Sequence, residues 1–451
     1  MLQRVKSIGV KFGFDRAIAY TVLSRLIQAF GGILTIVLIA RFLSITEQGY
    51  YFTFSSILAI QVFFELGLTT IITQFTSYEA AHLTRDEGGE FNGPRESLSR
   101  LSSILHFCVK WFVSLGLLLV IILIIVGFIF FNKYGKNALQ VEWQLPWIVV
   151  SIATSLSLIM APILAFQEGM GKIREVAKVR LIQQSIQILV LLILLISGFK
   201  LLASPIAAMA AFFVIPCWLL ATKEHELLLS VWKKLDKWKI NYSTEIFPFQ
   251  WKIAISWLSG YFIFQLFNPV LFATEGAVIA GQMGMTLAAL SGVMSISMSW
   301  INTKIPLFSS LIAKENFHEL DHVFNKSIVQ ACLVSGLGLS ILILIVSGLQ
   351  YYHLQAGQRF LPLQYVVLLS FATFVNQYIN GLATYLRCHK SEPFLFLSIV
   401  VGLLIGTSTI VLGNLYGVKG IVIGYATVIV FVSLTWAKSI YNVKKKQWHG
   451  Y

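Results

Sequence analysis

Residues 112–131 read FVSLGLLLVIILIIVGFIFF, a stretch without a single charged or amide side chain. A helix needs about 20 predominantly apolar residues to cross a bilayer, because it rises about 1.5 Å per residue through a hydrocarbon core about 30 Å thick. The stretch therefore predicts a transmembrane helix, and it decides the fold class.

The rest of the chain follows the same pattern. Hydrophobic residues make up 57% of the 451 residues and charged residues only 12%, about half of what a soluble domain carries. Each apolar segment should be helical, because lipid cannot hydrogen-bond a loop at membrane depth. The twelve predicted spans are 17–42, 49–75, 105–131, 146–168, 181–199, 202–221, 248–273, 276–300, 325–348, 361–384, 393–414 and 418–438.

The basic residues predict the orientation. With twelve spans, 25 Lys and Arg residues fall on one side of the membrane and 6 on the other, and the positive-inside rule places the richer side in the cytoplasm. Both termini are then cytoplasmic. The basic and then apolar N-terminus resembles a signal peptide, but its apolar stretch continues to about Leu43, so we interpret it as a retained first helix.

The second half of the chain is expected to repeat the first. Thr46-Glu47 follows span 1 and Thr274-Glu275 follows span 7, close to half the chain length later. An even number of helices per half keeps both halves in one orientation, so the repeat would be parallel. The predicted architecture is an all-α polytopic membrane protein with two six-helix lobes. Their predicted bounds are 1–222 and 248–451, joined by a cytoplasmic linker at 223–247.

Several function classes are disfavoured. The loops on the outer side are short, whereas a membrane glycosyl polymerase or ligase would carry catalytic groups on a large one. No G-x-x-x-x-G-K-[ST] motif for nucleotide phosphates occurs, and the basic residues separate apolar segments instead of forming a patch for nucleic acid. The four cysteines have no metal-ligand spacing, and we interpret them as packing residues. Neither a cofactor nor an enzymatic activity is expected.

Arg25 and Glu65 are the most informative charges. Only residues 26–40 separate Arg25 from Arg41, too few to span the hydrocarbon core, so Arg25 should lie within the membrane. Glu65 is the acid nearest the middle of any span, at a similar depth in the antiparallel second helix, with Gln61 and Thr69 one turn away on either side. An intramembrane charge normally faces a cavity or a partner. The pair could line a cavity, or it could be a buried ion pair that holds the two helices together.

Further candidates lie in the second half. Lys252 occupies nearly the place in span 7 that Arg25 has in span 1, although it could instead snorkel to the interface. Asn268 precedes Pro269, a candidate kink. Asn376 and Asn380 lie on a polar stripe of span 10 with Thr373, Thr384 and Arg387. Helix–helix hydrogen bonds are the alternative explanation for such residues.

Four segments carry a family resemblance. They are Arg41-Phe42-Leu43 with Glu47-Gln48-Gly49-Tyr50-Tyr51, Phe63-Phe64-Glu65-Leu66-Gly67-Leu68, Phe166-Gln167-Glu168-Gly169-Met170-Gly171-Lys172, and Tyr385-Leu386-Arg387-Cys388-His389-Lys390-Ser391-Glu392-Pro393. With them the chain resembles bacterial O-antigen and polysaccharide flippases of the multidrug/oligosaccharidyl-lipid/polysaccharide exporter superfamily.

The resemblance implies two lobes around a central cavity that opens alternately to each side of the bacterial inner membrane. It implies transport of an undecaprenyl-pyrophosphate-linked oligosaccharide to the periplasmic leaflet, driven by an ion gradient. Substrate-binding residues would be Arg25, Lys252, Asn268, Asn376 and Asn380. The resemblance makes Glu65 the candidate for coupling or gating.

The partners implied are the lipid-linked oligosaccharide, the bilayer, and the polysaccharide polymerase and chain-length machinery, with no nucleic acid. A guanidinium matches the oxygens of a pyrophosphate bidentately, which agrees with that cargo. The alternatives are a cation-coupled drug exporter of the same superfamily, a membrane glycosyl polymerase or ligase, and a scaffold without transport.

Overall fold

A computed structural model describes residues 31–32, 34–85, 91–135, 141–222, 224–389 and 391–449. Nearly all of them are helical, which confirms the all-α polytopic class. Within these ranges, ten helical stretches are long and apolar enough to cross a membrane. They are Ile45–Ala80, Arg95–Tyr134, Gln144–Gly169, Ile173–Ile196, Lys200–Ala221, Ile253–Thr274, Ala277–Ala313, Phe317–Tyr351, Leu363–Cys388 and Leu395–His449.

The chain forms two compact units, and the first includes Ile60–Phe130 and Glu142–Ala254. Its helices pack closely where glycine leaves room. The indole Nε1 of Trp147 donates a hydrogen bond to the carbonyl oxygen of Leu123 at 2.9 Å, and a Cβ on Gly127 would overlap the same ring.

A two-residue antiparallel β-ladder pairs Thr84–Arg85 with Phe91–Asn92. The helices of this unit are Val62–Glu65, Leu68–Ala80, Arg95–Tyr134 as far as residue 130, Gln144–Gly169, Ile173–Ile196, Ala203–Ala221, Glu224–Trp232 and the start of Phe247–Phe264.

The second unit includes Gly32–Ala59, Phe131–Val141 and Ile255–Tyr451. The early helical segment at 34–42 and the next helix thus belong with helices from the second half of the sequence. The predicted lobes 1–222 and 248–451 remain a prediction. The other helices of this unit are Ile45–Leu58, the end of Phe247–Phe264, Phe267–Thr274, Ala277–Asn302, Ile305–Ala313, Phe317–Tyr351, Leu363–Cys388, Leu395–Thr427 and Leu434–His449, the last two joined by the π-helical turn Val428–Ser433.

The predicted span 49–75 lies within the observed span Ile45–Ala80, but its helix is interrupted. Helix Ile45–Leu58 ends in a 3₁₀ turn, a short helix Val62–Glu65 follows, and helix Leu68–Ala80 begins after it. Between the last two, Leu66 (φ 46°) and Gly67 (φ 70°) have left-handed backbone conformations. Gly67 adopts such a conformation freely because it lacks a Cβ. The interruption lies directly after Glu65.

Two other interruptions agree with the sequence. Helix Phe247–Phe264 stops before helix Phe267–Thr274, just ahead of Pro269, which has no N–H to bond a carbonyl four residues earlier. At Gly417 (φ 57°, ψ −139°) the backbone leaves the helical conformation. A Cβ on Gly424 would overlap the hydroxyl of Ser408, so the chain folds back at Gly417 and forms two antiparallel helices, as spans 393–414 and 418–438 predicted.

Candidate functional site

The start of helix Ile45–Leu58 is fixed by a capping box. The backbone N–H of Ser44 donates to Glu47 Oε2 at 2.7 Å, and the N–H of Glu47 donates to Ser44 Oγ at 3.1 Å. Such a reciprocal pair satisfies two amide groups that the first turn of a helix leaves without partners. It therefore defines where Gln48 and Gly49 lie, one turn into the helix.

At Gly49 this helix meets helix Ala277–Asn302 backbone to backbone. A Cβ on Gly49 would overlap the carbonyl oxygen of Ala277, and a Cβ on Gly281 would lie 2.8 Å from the backbone nitrogen of Gly49. Small residues allow helices to approach closely in membranes, where dispersion contacts replace the hydrophobic effect as the source of affinity. Only glycine fits at these two positions.

Gln48 and Arg359 form a polar link beside this approach. The side chain of Gln48 is fully buried, and its Nε2 donates to the carbonyl oxygens of Gly281 at 2.8 Å and Arg359 at 3.1 Å. In return, Arg359 Nη1 donates to Gln48 Oε1 at 3.1 Å, and its Nη2 donates to the carbonyl oxygen of Leu43 at 2.6 Å. Burial lowers the pKa of Arg359, and the nearby negative charge of Glu47 opposes that shift.

An aromatic cluster packs on the other side of the same helix. The buried ring of Tyr50 lies 5.4 Å from that of Phe131 and 5.0 Å from that of Phe272, between ring centroids. We call the polar link, the glycine approach and these rings together the closure cluster. Its members are Gln48, Gly49, Tyr50, Phe131, Phe272, Gly281 and Arg359.

The closure cluster joins residues that are far apart in sequence. The pair Gln48 and Arg359 is separated by 311 positions. The sequence reasoning missed both as functional residues, although Gln48 lies in a segment that carries the family resemblance. Arg359 was counted only as a basic residue of an outer loop. Nothing local in the sequence marks it, because its partners Leu43 and Gln48 lie more than 300 positions earlier.

Asn268, a predicted substrate-binding residue, lies in a helix–helix contact. Its side chain is 7% exposed, and its Nδ2 donates to Ser56 Oγ at 3.0 Å. Its Oδ1 has no hydrogen-bond partner in the structure. The contact satisfies the amide nitrogen of Asn268 and leaves its amide oxygen as an acceptor without a partner.

Glu65 is half-buried at the end of helix Val62–Glu65 and accepts a hydrogen bond from Thr69 Oγ1 at 2.6 Å. This hydrogen bond joins residues on either side of Leu66 and Gly67. Glu65 and Thr69 therefore remain neighbours although the helix is interrupted between them. Arg25 lies outside the described residues, and its expected proximity to Glu65 stays a prediction. Lys252 belongs to helix Phe247–Phe264, and its side chain also lies outside the described part.

Helix Leu363–Cys388 carries the predicted polar stripe. Thr373 and Asn376 are buried, and Asn380 is half-buried. Between them lies Gln377, which sequence reasoning passed over. It is 1% exposed, and neither its amide nitrogen nor its amide oxygen has a hydrogen-bond partner in the structure. We call Thr373, Asn376, Gln377 and Asn380 the polar stripe.

An unpartnered buried amide is unusual and requires a reason. The large majority of buried polar side-chain atoms in proteins are hydrogen-bonded, and the exceptions often mark an ordered water, an ion or a functional site. The spacing of Gln377 from Thr373 and Asn380 places it on the same helix face. The polar stripe is therefore a surface able to accept a polar ligand or water.

Solved structures of transporters share this fold, although no family model and no curated protein matches the chain. A lipid II flippase, MurJ, in an inward closed conformation matches with a TM-score of 0.61 and 13% identity over 95% of this chain and 87% of that one. The MATE multidrug transporter DinF-BH matches with a TM-score of 0.59 and 13% identity over 97% and 96%. An inward-facing MATE transporter of the MOP superfamily matches with a TM-score of 0.55 and 14% identity over 93% and 99%.

These likenesses show that the chain has the fold of these transporters. The matched structures include both a lipid II flippase and multidrug transporters, so the fold alone leaves the cargo open.

Proposed function

We propose that this chain is a transporter that moves an undecaprenyl-pyrophosphate-linked oligosaccharide from the cytoplasmic to the periplasmic leaflet by alternating access. The observation that carries this proposal is the closure cluster. It joins segments of the first and second halves of the sequence through a few hydrogen bonds and a glycine contact, which a conformational change can open and remake.

The closure cluster lies on the side predicted to face the periplasm. Arg359 and Arg41 belong to loops of the side with 6 basic residues, and the cluster includes the turn that carries Arg359. A transporter whose periplasmic side is held shut would receive its cargo from the cytoplasm. This agrees with a substrate that is assembled on the cytoplasmic leaflet.

An anionic cargo is supported by the charges that the sequence places at or within the spans. Arg25 and Lys252 are cations, whereas Glu65 is the acid nearest the middle of a span. A pyrophosphate requires cationic partners, and guanidinium binds two of its oxygens at once. The polar stripe, with the unpartnered amide of Gln377, would hydrogen-bond sugar hydroxyls. The lipid chain would remain in the bilayer throughout.

The likeness to a lipid II flippase supports the same class of cargo. The likeness to MATE multidrug transporters favours a second candidate, a cation-coupled drug exporter. A cationic drug would need an acidic group in the cavity, for which Glu65 is the candidate. The two functions differ in whether Arg25 is essential.

Reconstituted protein can decide between them. Proteoliposomes would carry a polyprenyl-pyrophosphate oligosaccharide in one leaflet, and its arrival in the other would be followed by cleavage with an added glycosidase. We expect transport by the wild type, loss in Arg25→Ala and partial activity in Arg25→Lys. Arg41→Ala is the matched control, because Arg41 is exposed and should be dispensable.

Transport of a cationic dye with none of the glycolipid would overturn the flippase proposal and favour the exporter. Normal glycolipid transport by both Arg25 variants would instead remove Arg25 from the binding site. A strain that lacks the gene and still displays normal surface polysaccharide would contradict the flippase proposal in the cell. Glu65 would be essential in either transporter if it couples the ion gradient.

A further inference from the structure

The segment between two consecutive spans forms a distinct surface. Residues 222–252 connect the span Lys200–Ala221 to the span Ile253–Thr274, so they lie at a face of the bilayer. The segment begins with helix Glu224–Trp232 and continues in an irregular conformation as far as Asn241. It belongs entirely to the first unit.

This connector is bound along its length to the start of helix Arg95–Tyr134. Ser99 Oγ donates to the carbonyl oxygen of Trp238 at 2.7 Å and accepts from the N–H of Asp236 at 2.8 Å. Ser102 Oγ donates to the carbonyl oxygen of Trp232 at 3.1 Å. Serine hydroxyls thus satisfy backbone groups at the end of helix Glu224–Trp232 and in the irregular stretch that follows it.

Further contacts hold both ends of the connector. The imidazole of His106 stacks on the ring of Trp232 with 3.5 Å between centroids. At the far end, Arg100 bridges Glu79 and Glu245, with 2.6 Å to each. Burial alone would raise the pKa of Glu245, but hydrogen bonds from Arg100 and from the backbone of Asn241 hold it below its usual value. The connector is therefore a fixed surface with defined side-chain positions.

The fixed backbone presents an unusual mixture of side chains to the outside. Lys233, Lys237 and Lys239 are exposed. Lys234 differs from them, because its Nζ donates to the carbonyl oxygen of Phe91 at 2.8 Å. Three large apolar side chains are exposed beside the lysines: Leu229 (55%), Leu235 (38%) and Trp238 (42%).

This mixture fits the headgroup region of a membrane. Lysine, tryptophan and leucine together on one surface are typical of interfacial segments, in which the apolar side chains insert and the cations bind lipid phosphates. A soluble polyanion would bind the lysines but would gain nothing from exposed Leu235. Residues 229–240 contain four Lys and one Asp, so the surface has a positive charge that complements anionic lipid.

We propose that the connector surface is a binding site for anionic phospholipid headgroups. The surface consists of Leu229, Lys233, Leu235, Lys237, Trp238 and Lys239. The three exposed lysines contact the phosphates, and Trp238 and the leucines lie at headgroup depth. The site is independent of the substrate that the transporter carries.

Lipid retention by the full chain tests the site. Purified protein in detergent would be titrated with phosphatidylglycerol or with phosphatidylcholine of the same acyl chains, and native mass spectrometry would count the bound lipids. We expect the wild type to retain phosphatidylglycerol preferentially. The triple variant Lys233→Gln/Lys237→Gln/Lys239→Gln should bind it about 100-fold more weakly, since each lysine near an anionic surface contributes roughly a factor of five.

A matched control removes the same charge elsewhere. Lys304, Lys314 and Lys326 are exposed and fall on the same predicted side, so the triple Gln variant at these positions should keep the preference. Equal losses in the two triple variants would overturn the proposal, because they would indicate a general electrostatic effect. Equal retention of both lipids by the wild type would overturn it as well.

Replacement of Trp238 distinguishes a membrane lipid from a soluble ligand. Trp238→Ala keeps every lysine, and we expect it to weaken phosphatidylglycerol retention several-fold. If inorganic polyphosphate displaced the lipid completely and Trp238→Ala had no effect, the surface would be a site for soluble polyanions and the lipid proposal would be wrong.

Discussion

Gln48 and Arg359 of the closure cluster and Gln377 of the polar stripe all lie in the second unit, but they differ in whether the protein supplies hydrogen-bond partners for their side chains. In the closure cluster, both amide atoms of Gln48 have hydrogen-bond partners, and so do both terminal nitrogens of Arg359. In the polar stripe, neither amide atom of Gln377 has one.

The difference separates two uses of a buried polar residue. A satisfied group contributes about 0.5–1.5 kcal/mol to stability, and an unsatisfied one destabilises the protein by about 1–3 kcal/mol. Protein partners for Gln48 therefore indicate that it holds two segments together. Neither amide atom of Gln377 bonds another segment in the structure, so its side chain makes no such link. Substitutions should consequently reduce stability, and transport with it, in the first region, and reduce transport without a loss of stability in the second.

The largest effect should come from Gly49→Ala. The added Cβ would overlap the carbonyl oxygen of Ala277, and because both are backbone atoms, neither can turn away. We expect the closed arrangement to be destabilised by at least the 1–3 kcal/mol typical of overpacking, with transport reduced more than tenfold in proteoliposomes.

The control for Gly49→Ala is Gly292→Ala. Gly292 lies in helix Ala277–Asn302, and nothing lies within 4 Å of a Cβ placed there. The two variants make the same chemical change at helical glycines. Equal activities for both would show that the contact at Gly49 is not needed for transport.

A double-mutant cycle at Gln48 and Arg359 should give the next largest effect. Each single change to Ala leaves a buried polar group without its partner, so we expect losses of about 1.5–3 kcal/mol in the free energy of unfolding. Because the two side chains share hydrogen bonds, the double variant should lose less than the sum, with a coupling of about 0.5–3 kcal/mol. Thermal unfolding in detergent measures these free energies. If the loss in the double variant equalled the sum of the two single losses, a direct link between Gln48 and Arg359 would be excluded.

Gln377→Leu should separate stability from function. Leucine is similar in size and has no polar atoms, so it removes two unsatisfied groups from a buried position. We expect the free energy of unfolding to stay the same or to increase by about 1 kcal/mol, while transport falls. A loss of stability above 1 kcal/mol would mean that Gln377 has protein partners, and the contrast with Gln48 would disappear.

Glu65→Gln should have the smallest effect on stability. A glutamine oxygen still accepts the hydrogen bond from Thr69, so we expect a change below about 1 kcal/mol, typical of a neutral hydrogen bond. If Glu65 carries the coupling proton, transport should lose its dependence on external pH. Full transport with an unchanged pH profile would exclude that role, and Thr69→Val provides the control for loss of the hydrogen bond alone.

The sequence predicted the helical class and most spans because hydrophobic length is a local property. Span 105–131 lies within the observed helix Arg95–Tyr134, and span 276–300 nearly matches Ala277–Asn302. The break at Leu66 and Gly67 was not predicted, because a glycine within an apolar run does not alter its hydropathy. Only the backbone angles reveal it.

The candidate site was only partly accessible to sequence reasoning. Asn376 was identified from its helical spacing, but its neighbour Gln377 was not, because unpartnered atoms are a property of packing. Arg359 is the clearest case. Its role depends on Gln48 and Leu43, more than 300 positions away, and no local pattern can indicate such a pairing.

The glycine contact has a consequence for the free energy of opening and reforming the closure cluster. Gly49, Ala277 and Gly281 have no side-chain rotamers, so bringing them together freezes no side-chain motion, whereas long polar side chains lose up to about 2 kcal/mol each. Within the polar link and the glycine approach, the side-chain entropy lost on closing is then confined to Gln48 and Arg359. Opening and closing should therefore be balanced within a few kcal/mol, a difference small enough for substrate binding to reverse at every turnover.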